Sequence, residues 1–201
     1  MTPPVIVAIT GASGAIYGQR LVEILLTLRV PVHLSISESA RHVFQHELGL
    51  DLRLEDFAIE QLLPRWETPS AALHYSHFRD MLAPMASGSF QTSGMVVCPC
   101  SGSTMSGIAT AASGNLIQRA ADVHLKERRR LIVVPRETPL SLTQLKNWLA
   151  VTRAGGIVLP ASPGFYHGAD RVSQLVDFIV ARILDLMGIP HQLTRRWGEA
   201  E

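Results

Sequence analysis

Two short stretches of glycine and hydroxyl side chains stand between an apolar run and a helical pattern: Gly11-Ala-Ser-Gly14 and Ser101-Gly-Ser-Thr104. Small residues let the backbone approach a ligand closely. A helix start offers unpaired amide donors at its positive dipole end. Each stretch is therefore a seat for a phosphate, to which Ser13, Ser101, Ser103 and Thr104 add hydroxyls. Lys126, Arg136 and Arg182 can form a second, cationic pocket, with Tyr166 donating its hydroxyl. The alternative for each arginine is a surface ion pair. Glu137 stands beside Arg136 and is a carboxylate able to accept a proton. No paired acidic ligands accompany either phosphate turn, so neither metal nor Mg²⁺ is expected.

Several chemistries fit poorly. Gly11, Gly14 and Gly18 do not make the dinucleotide pattern G-x-G-x-x-G. Tyr17 occupies the last glycine position of a T-G-x-x-G-x-x-G turn, and Tyr17, Tyr75 and Tyr166 each lack a lysine four residues on. Glu38 follows the second strand and could bind a ribose, which keeps a nicotinamide nucleotide as a weaker reading. There is no Walker pattern and no G-x-S-x-G elbow. His42 and His46 stand at i, i+4 with Glu47 beside them, either a zinc pair or two surface histidines. His74 and His77 have no further ligand at metal spacing.

The elements that position these groups follow from periodicity. The run Val5-Ile-Val-Ala-Ile9 is apolar and β-branched, as in a strand buried on both faces. A helix follows from Ala15. A strand is expected over 32–37, a helix over 39–47 capped by Ser37 and ended by Gly49, and a helix with a connection over 50–73. The small, polar stretch 83–94 reads as a loop, either a surface connection or a binding or subunit contact. Then come a strand at 95–98, a helix at 105–112, a helix at 119–127, a strand at 131–134, and a helix at 142–154 capped by Ser141. A fifth strand at 157–159 and a helix at 172–187 complete the pattern. This alternation predicts one doubly wound, flavodoxin/Rossmann-like α/β domain spanning 1–201, three layers with a mostly parallel sheet. Ligands in such folds bind beyond the carboxyl ends of the strands, where Ser13, Ser37, Ser101 to Thr104, Arg136, Glu137 and Tyr166 fall.

Bulk properties narrow the class. The chain has 201 residues and a formal net charge of +1, so no global field favours nucleic acid. No signal-peptide pattern opens the chain and no apolar run suits a bilayer span. The two cysteines, Cys98 and Cys100, are too tightly spaced for an easy internal disulfide, so a reducing, cytoplasmic setting is expected. Mean hydropathy of +0.19 with 17% charged residues favours an oligomer that buries further apolar surface.

The motifs Thr10-Gly-Ala-Ser-Gly-Ala-Ile-Tyr-Gly18, Ala86-Ser-Gly-Ser89, Cys98-Pro-Cys-Ser101, Asn115 to Arg129, Val134-Pro-Arg-Glu-Thr-Pro139, Pro163-Gly-Phe-Tyr-His167 and Arg196-Trp-Gly198 resemble the UbiX family of flavin prenyltransferases over nearly the whole chain. The resemblance implies a flavodoxin-like sheet, a homo-dodecamer with FMN between subunits, and metal-free transfer of a dimethylallyl group from dimethylallyl monophosphate to reduced FMN. It implies that the prenylated FMN serves UbiD-type decarboxylases, including one in ubiquinone biosynthesis. By resemblance, Gly11, Ala12, Ser13, Ser37, Ser101, Gly102, Ser103, Thr104, Arg119 and Arg136 contact FMN, with Ser13 beside the central-ring nitrogen that is alkylated first. Ser87, Gly88, Lys126, Arg136, Tyr166 and Arg182 hold the substrate. Ser13, Glu47, Lys126, Glu137 and Trp197 take part in catalysis, Glu47 and Glu137 as the acidic pair and Trp197 as a π-surface. The tail, about 190–201, is expected to pack on a neighbouring subunit. Two positions depart from the family: Glu38 stands where relatives often carry lysine, and Met81 where some place tryptophan. A related flavoprotein acting on peptidyl cysteine is the nearest rival, but its Pro-x-Met-Asn-x-x-Met-Trp motif is missing. A non-catalytic flavin carrier would need the two turns but not Lys126, Glu137, Tyr166 and Arg182 together.

Overall fold

The computed structural model describes residues 3–66, 73–166 and 168–194. Six strands form one parallel sheet: β1 (Val5–Ile9), β2 (Val32–Ile36), β3 (Leu73–Tyr75), β4 (Gly94–Cys100), β5 (Leu131–Pro135) and β6 (Ile157–Val158), in the order β3-β2-β1-β4-β5-β6. The helices are α1 (Ala15–Thr27), α2 (Glu38–Leu48), α3 (Ile59–Leu62), α4 (Gly102–Ala109), α5 (Leu116–Lys126), α6 (Leu142–Arg153) and α7 (Val172–Met187).

Every residue of β1, β4 and β5 is buried, because helices cover both faces of the sheet. Side chains alternate between the two layers. Val7, Ile9, Val96 and Ile132 pack with Leu21 and Leu25 of α1 and Ile179 and Ile183 of α7. Ile6, Ala8, Met95, Val97, Leu131 and Val133 face the opposite way, onto Met105 and Ile108 of α4 and Leu116, Ile117 and Ala120 of α5. Fully burying one such aliphatic side chain stabilises the fold by about 1.5–3 kcal/mol.

The sheet has six strands rather than the expected five. Strand β3 pairs only with β2, spans three residues and has His74 exposed at its centre, so it is too short to leave a period in the sequence. Helices α4 and α5 begin three residues earlier than expected. Ser101 caps the first by accepting from the Thr104 amide, and Asn115 caps the second by accepting from the Gln118 amide. The loop at 83–94 is anchored rather than flexible. It contains a 3₁₀ turn (Pro84–Ala86), buries Met85, and sets Phe90 4.9 Å from the His33 ring.

From β1 the chain builds outward to β2 and β3, then returns to the other side of β1 as β4. The strand order therefore reverses between β1 and β4, which opens a crevice at their carboxyl ends. Thr10 ties the two ends together. Its amide and hydroxyl donate to the Pro99 carbonyl at 3.2 and 2.9 Å, and its hydroxyl accepts from the Ser101 amide at 2.8 Å.

Candidate active site

Three helix N-termini converge on the carboxyl ends of β1, β2 and β4, and they differ in how their amides are used. At α1 the N-cap is Gly14, whose φ of 101° favours glycine and which has no side chain to cap with. Glu47, from the last turn of α2, supplies the cap. Its carboxylate accepts from the Gly14 amide at 2.9 Å, the Ala15 amide at 2.9 Å and the Ser13 hydroxyl. Partial burial raises the Glu47 pKa, but these hydrogen bonds and the Arg136 charge outweigh it and leave the group below the usual carboxylate range. The seat that sequence reading gave to a phosphate is thus filled by a carboxylate of the same chain. Gly11 and Gly18 serve packing. A Cβ on Gly11 would lie 2.3 Å from the Ser39 Cβ, and one on Gly18 2.5 Å from the Cys98 carbonyl oxygen.

The other two N-termini are open. Ser37 caps α2 by accepting from the Ala40 amide at 3.2 Å. Ser101 caps α4, and its hydroxyl lies 3.2 Å from that of Ser103 and 3.1 Å from that of Thr104. Among the described residues, nothing accepts from the amides of Gly102 and Ser103. Arg136, just beyond β5, donates to the Ser13 carbonyl at 3.4 Å and so reaches across β4 toward the first turn. Amide donors, three hydroxyls and a guanidinium around one crevice fit the phosphate of a flavin mononucleotide. Glu137 completes this edge. Its carboxylate accepts from the Thr138 amide at 3.2 Å and the Gln144 side chain at 2.9 Å.

The cationic pocket expected from Lys126, Arg136, Arg182 and Tyr166 does not form within one chain. Lys126 ends α5, before β5 begins, whereas Arg136 follows β5. The strand between them spans about 13 Å on its own. Lys126 pairs with Glu127 at 2.6 Å beside Gly88, where a Cβ would come 3.2 Å from the Lys126 Nζ. Arg182 lies ten residues along α7, about 15 Å from its start, and pairs with Asp185 at 3.0 Å. Tyr166, 64% exposed, lies beyond β6 and meets Phe178 edge to face. The parallel topology imposes this separation: each helix that starts near the carboxyl ends returns its last turn toward the amino ends.

Ser87, Gly88 and Lys126 do belong together, on the loop at 83–94 and the end of α5. Arg119, expected among the flavin contacts, is engaged there. It donates to the Ala86 carbonyl at 3.1 Å and pairs with Asp122 at 2.9 Å. Arg129 donates to the carbonyls of Gly88 and Phe90, and the His124 Nε2 lies 2.8 Å from the Thr92 hydroxyl. Sequence reading missed Thr10, Gln144, His124 and Arg129 as supports of the site. Thr10, His124 and Arg129 lie inside the motifs quoted above but carry no role there, and Gln144 left a signal as the last member of the S-x-x-Q capping box Ser141-Leu-Thr-Gln144. Trp197 and most of the tail lie outside the described residues.

Other candidates recede. His42 and His46 are exposed, and among the described residues no group of three or more His, Cys, Asp or Glu is placed to hold a metal. Cys98 and Cys100 are free and buried, and burial raises both thiol pKa values, that of Cys100 to about 12. No helix among the described residues is long and apolar enough to cross a membrane.

The Flavoprotein family model matches residues 2–184. Flavin prenyltransferase UbiX of Alkalihalophilus pseudofirmus is 47% identical over 193 residues, covering 96% of this chain and 95% of that protein. The UbiX of Pseudomonas aeruginosa is likewise 47% identical, with 96% and 92% coverage. Among solved structures, AnUbiX in complex with FMN and dimethylallyl pyrophosphate superposes with a TM-score of 0.88 at 38% identity, covering all of both chains. A dodecameric FMN-dependent UbiX-like decarboxylase from Escherichia coli gives 0.85 at 36% identity, covering 98% of this chain and 100% of that one. An FMN-dependent cysteine decarboxylase, TvaF, shares the fold alone, at 14% identity and a TM-score of 0.61.

Proposed function

The chain belongs to the Flavoprotein family and, within it, to the UbiX flavin prenyltransferases, and from that premise we propose that it transfers a dimethylallyl group from dimethylallyl monophosphate to reduced FMN. The observation that carries this reading is the crevice between β1 and β4. There, two open helix N-termini, the Ser101–Thr104 hydroxyls and Arg136 suit a flavin phosphate, with Glu137 alongside. Ser13, fixed by Glu47 on one side and Arg136 on the other, is held in the same crevice.

In the transfer, the allylic C–O bond breaks and its electron pair leaves with the phosphate. A flavin ring nitrogen forms the first new bond to carbon. Ring closure then consumes the remaining double bond of the allyl group: the proton shed by the alkylated nitrogen is moved to one alkene carbon, a flavin carbon bonds to the other, and the proton that this ring carbon releases ends on the departing phosphate, with Glu137 placed to carry protons between these atoms. Lys126, Arg136 and Arg182 favour the charge that develops on phosphate, and aromatic faces favour the charge on carbon. The Lys126 end of α5 and the Arg136 end of β5 face opposite ends of the sheet. One site that uses both draws them from different subunits, in keeping with the dodecameric relative. We assign Ser87, Gly88, Lys126, Tyr166 and Arg182 to the donor side, and the tail with Trp197 to cover of a neighbour's site. The product would serve a UbiD-type decarboxylase.

The test is anaerobic incubation with reduced FMN and either dimethylallyl monophosphate or the diphosphate, followed by mass spectrometry of the flavin. Gain of one five-carbon unit with the monophosphate supports the reading. FMN that binds but never gains mass with either donor would leave the chain a flavin carrier.

A further inference from the structure

We propose that Gln144 is a positioning residue for Glu137, holding its carboxylate beside the α4 N-terminus. The proposal rests on the prenyltransferase reading, in which Glu137 receives a proton. Glu137 is exposed in the connection between β5 and α6 and would otherwise sample several rotamers. Two donors restrain it: the Thr138 amide on Oε1 and the Gln144 Nε2, at 2.9 Å, on Oε2.

Gln144 is itself fixed. Its Oε1 accepts from the Ser141 backbone amide at 2.8 Å, while its backbone amide donates to the Ser141 hydroxyl at 3.2 Å, so both halves of the α6 capping box are made. The carbonyl end of the side chain is therefore committed to the helix, and the NH₂ end is turned toward Glu137. A Cβ on Gly102 would lie 3.7 Å from the Gln144 Nε2 and 3.9 Å from the Glu137 Oε2. The pair thus lies directly over the open Ser101–Gly102 turn that faces the crevice.

The residue type carries the inference. A capping box accepts Glu or Gln at this position, so helix stability alone does not select between them. Next to the Glu137 Oε2 only the amide can donate; a second carboxylate would repel. Glutamine is the choice that satisfies α6 and Glu137 together.

Gln144→Glu tests this, because it preserves the capping box and replaces the donor to Glu137 with a like charge. The single-turnover rate of flavin prenylation at saturating donor is expected to fall about tenfold, since small displacements of a reacting group cost one to two orders of magnitude. The KM for dimethylallyl monophosphate should stay unchanged; FMN affinity should fall, because the new carboxylate lies over the Ser101–Gly102 turn, so the rate is read at saturating FMN. Ser141→Ala, which damages the cap without touching the Glu137 contact, should lower thermal stability and leave the rate intact. In a Glu137→Gln background the pair merely exchanges donor and acceptor, so Gln144→Glu should cost nothing further. A wild-type rate for Gln144→Glu, an effect on KM alone, or an equal loss in the Glu137→Gln background would each overturn the role of Gln144 while leaving the prenyltransferase reading standing. Unchanged prenylation by Glu137→Gln would overturn the proton role of Glu137 and this proposal together. A wild-type protein that forms no prenylated flavin would overturn the function itself.

Discussion

Removing the carboxylate of Glu47 should unfasten the first helix. In Glu47→Ala, the amides of Gly14 and Ala15 and the Ser13 hydroxyl lose their acceptor, and Gly14 has no side chain to take its place. A lost N-cap costs about 0.5–2 kcal/mol, and hydrogen bonds to a charged group lie at the upper end of the usual range. With three donors on one partly solvated carboxylate, about 2 kcal/mol is expected. For a chain of this size that lowers Tm by about 4–8 °C. Differential scanning calorimetry of FMN-free protein measures it, with Glu47→Gln giving a smaller loss because one oxygen acceptor remains. The pH dependence has a definite sign. The folded-state pKa of Glu47 is depressed, so the cap contributes fully above the unfolded value and is lost as pH falls through the folded one. The gap between wild type and Glu47→Ala should therefore close in acid. Equal Tm at neutral pH, or a gap that persists once carboxylates are protonated, would refute the capping argument.

Other outcomes follow from the same geometry. Lys126→Met and Arg136→Met should each inactivate the enzyme, yet co-assembly of the two inactive chains should recover part of the activity, because some sites then receive both native residues. No recovery on mixing would contradict a site shared between subunits. Gly18→Ala should destabilise by about 1–3 kcal/mol, measured by urea unfolding, since the added methyl meets the Cys98 backbone oxygen at 2.5 Å. Burial, with a contribution from His74, pushes the His33 pKa down to about 4 from an ordinary 6.5. The unfolded chain then binds a proton that the folded one resists, so wild type should lose several degrees of Tm between about pH 6.5 and pH 4. His33→Phe should flatten that slope; an unchanged slope would rule out His33 as its source.

Much of the framework was legible because the buried strands have no polar interruption. Val5–Ile9 and Leu131–Pro135 announce themselves by composition, and α7 shows its full length in its apolar spacing. Strand β3 was hidden because three residues at a sheet margin with His74 in the middle carry no period. The hydroxyl turn at Ser101 was readable, and so was Glu137 as a strand-end carboxylate. The occupation of the α1 amides by Glu47 was not, since the two lie 33 residues apart and packing between distant residues, such as Gly11 on Ser39, brings α2 against the turn. Nor could the sequence show that Lys126 and Arg136 point to opposite ends of the sheet. Residue types advertise chemistry, but the direction each helix runs decides which partner they meet.

The Thr10 hydroxyl, joining the Pro99 carbonyl to the Ser101 amide, has a mechanical consequence. At 1% exposure it works as a rivet where the strand order turns back on itself, and the two lips of the slot cannot spread without breaking a buried bond. The slot width is set when the sheet folds, before any ligand arrives. A join of this kind calls for little movement at this point between empty and loaded states, so amide exchange at Ser101 should be as slow without flavin as with it.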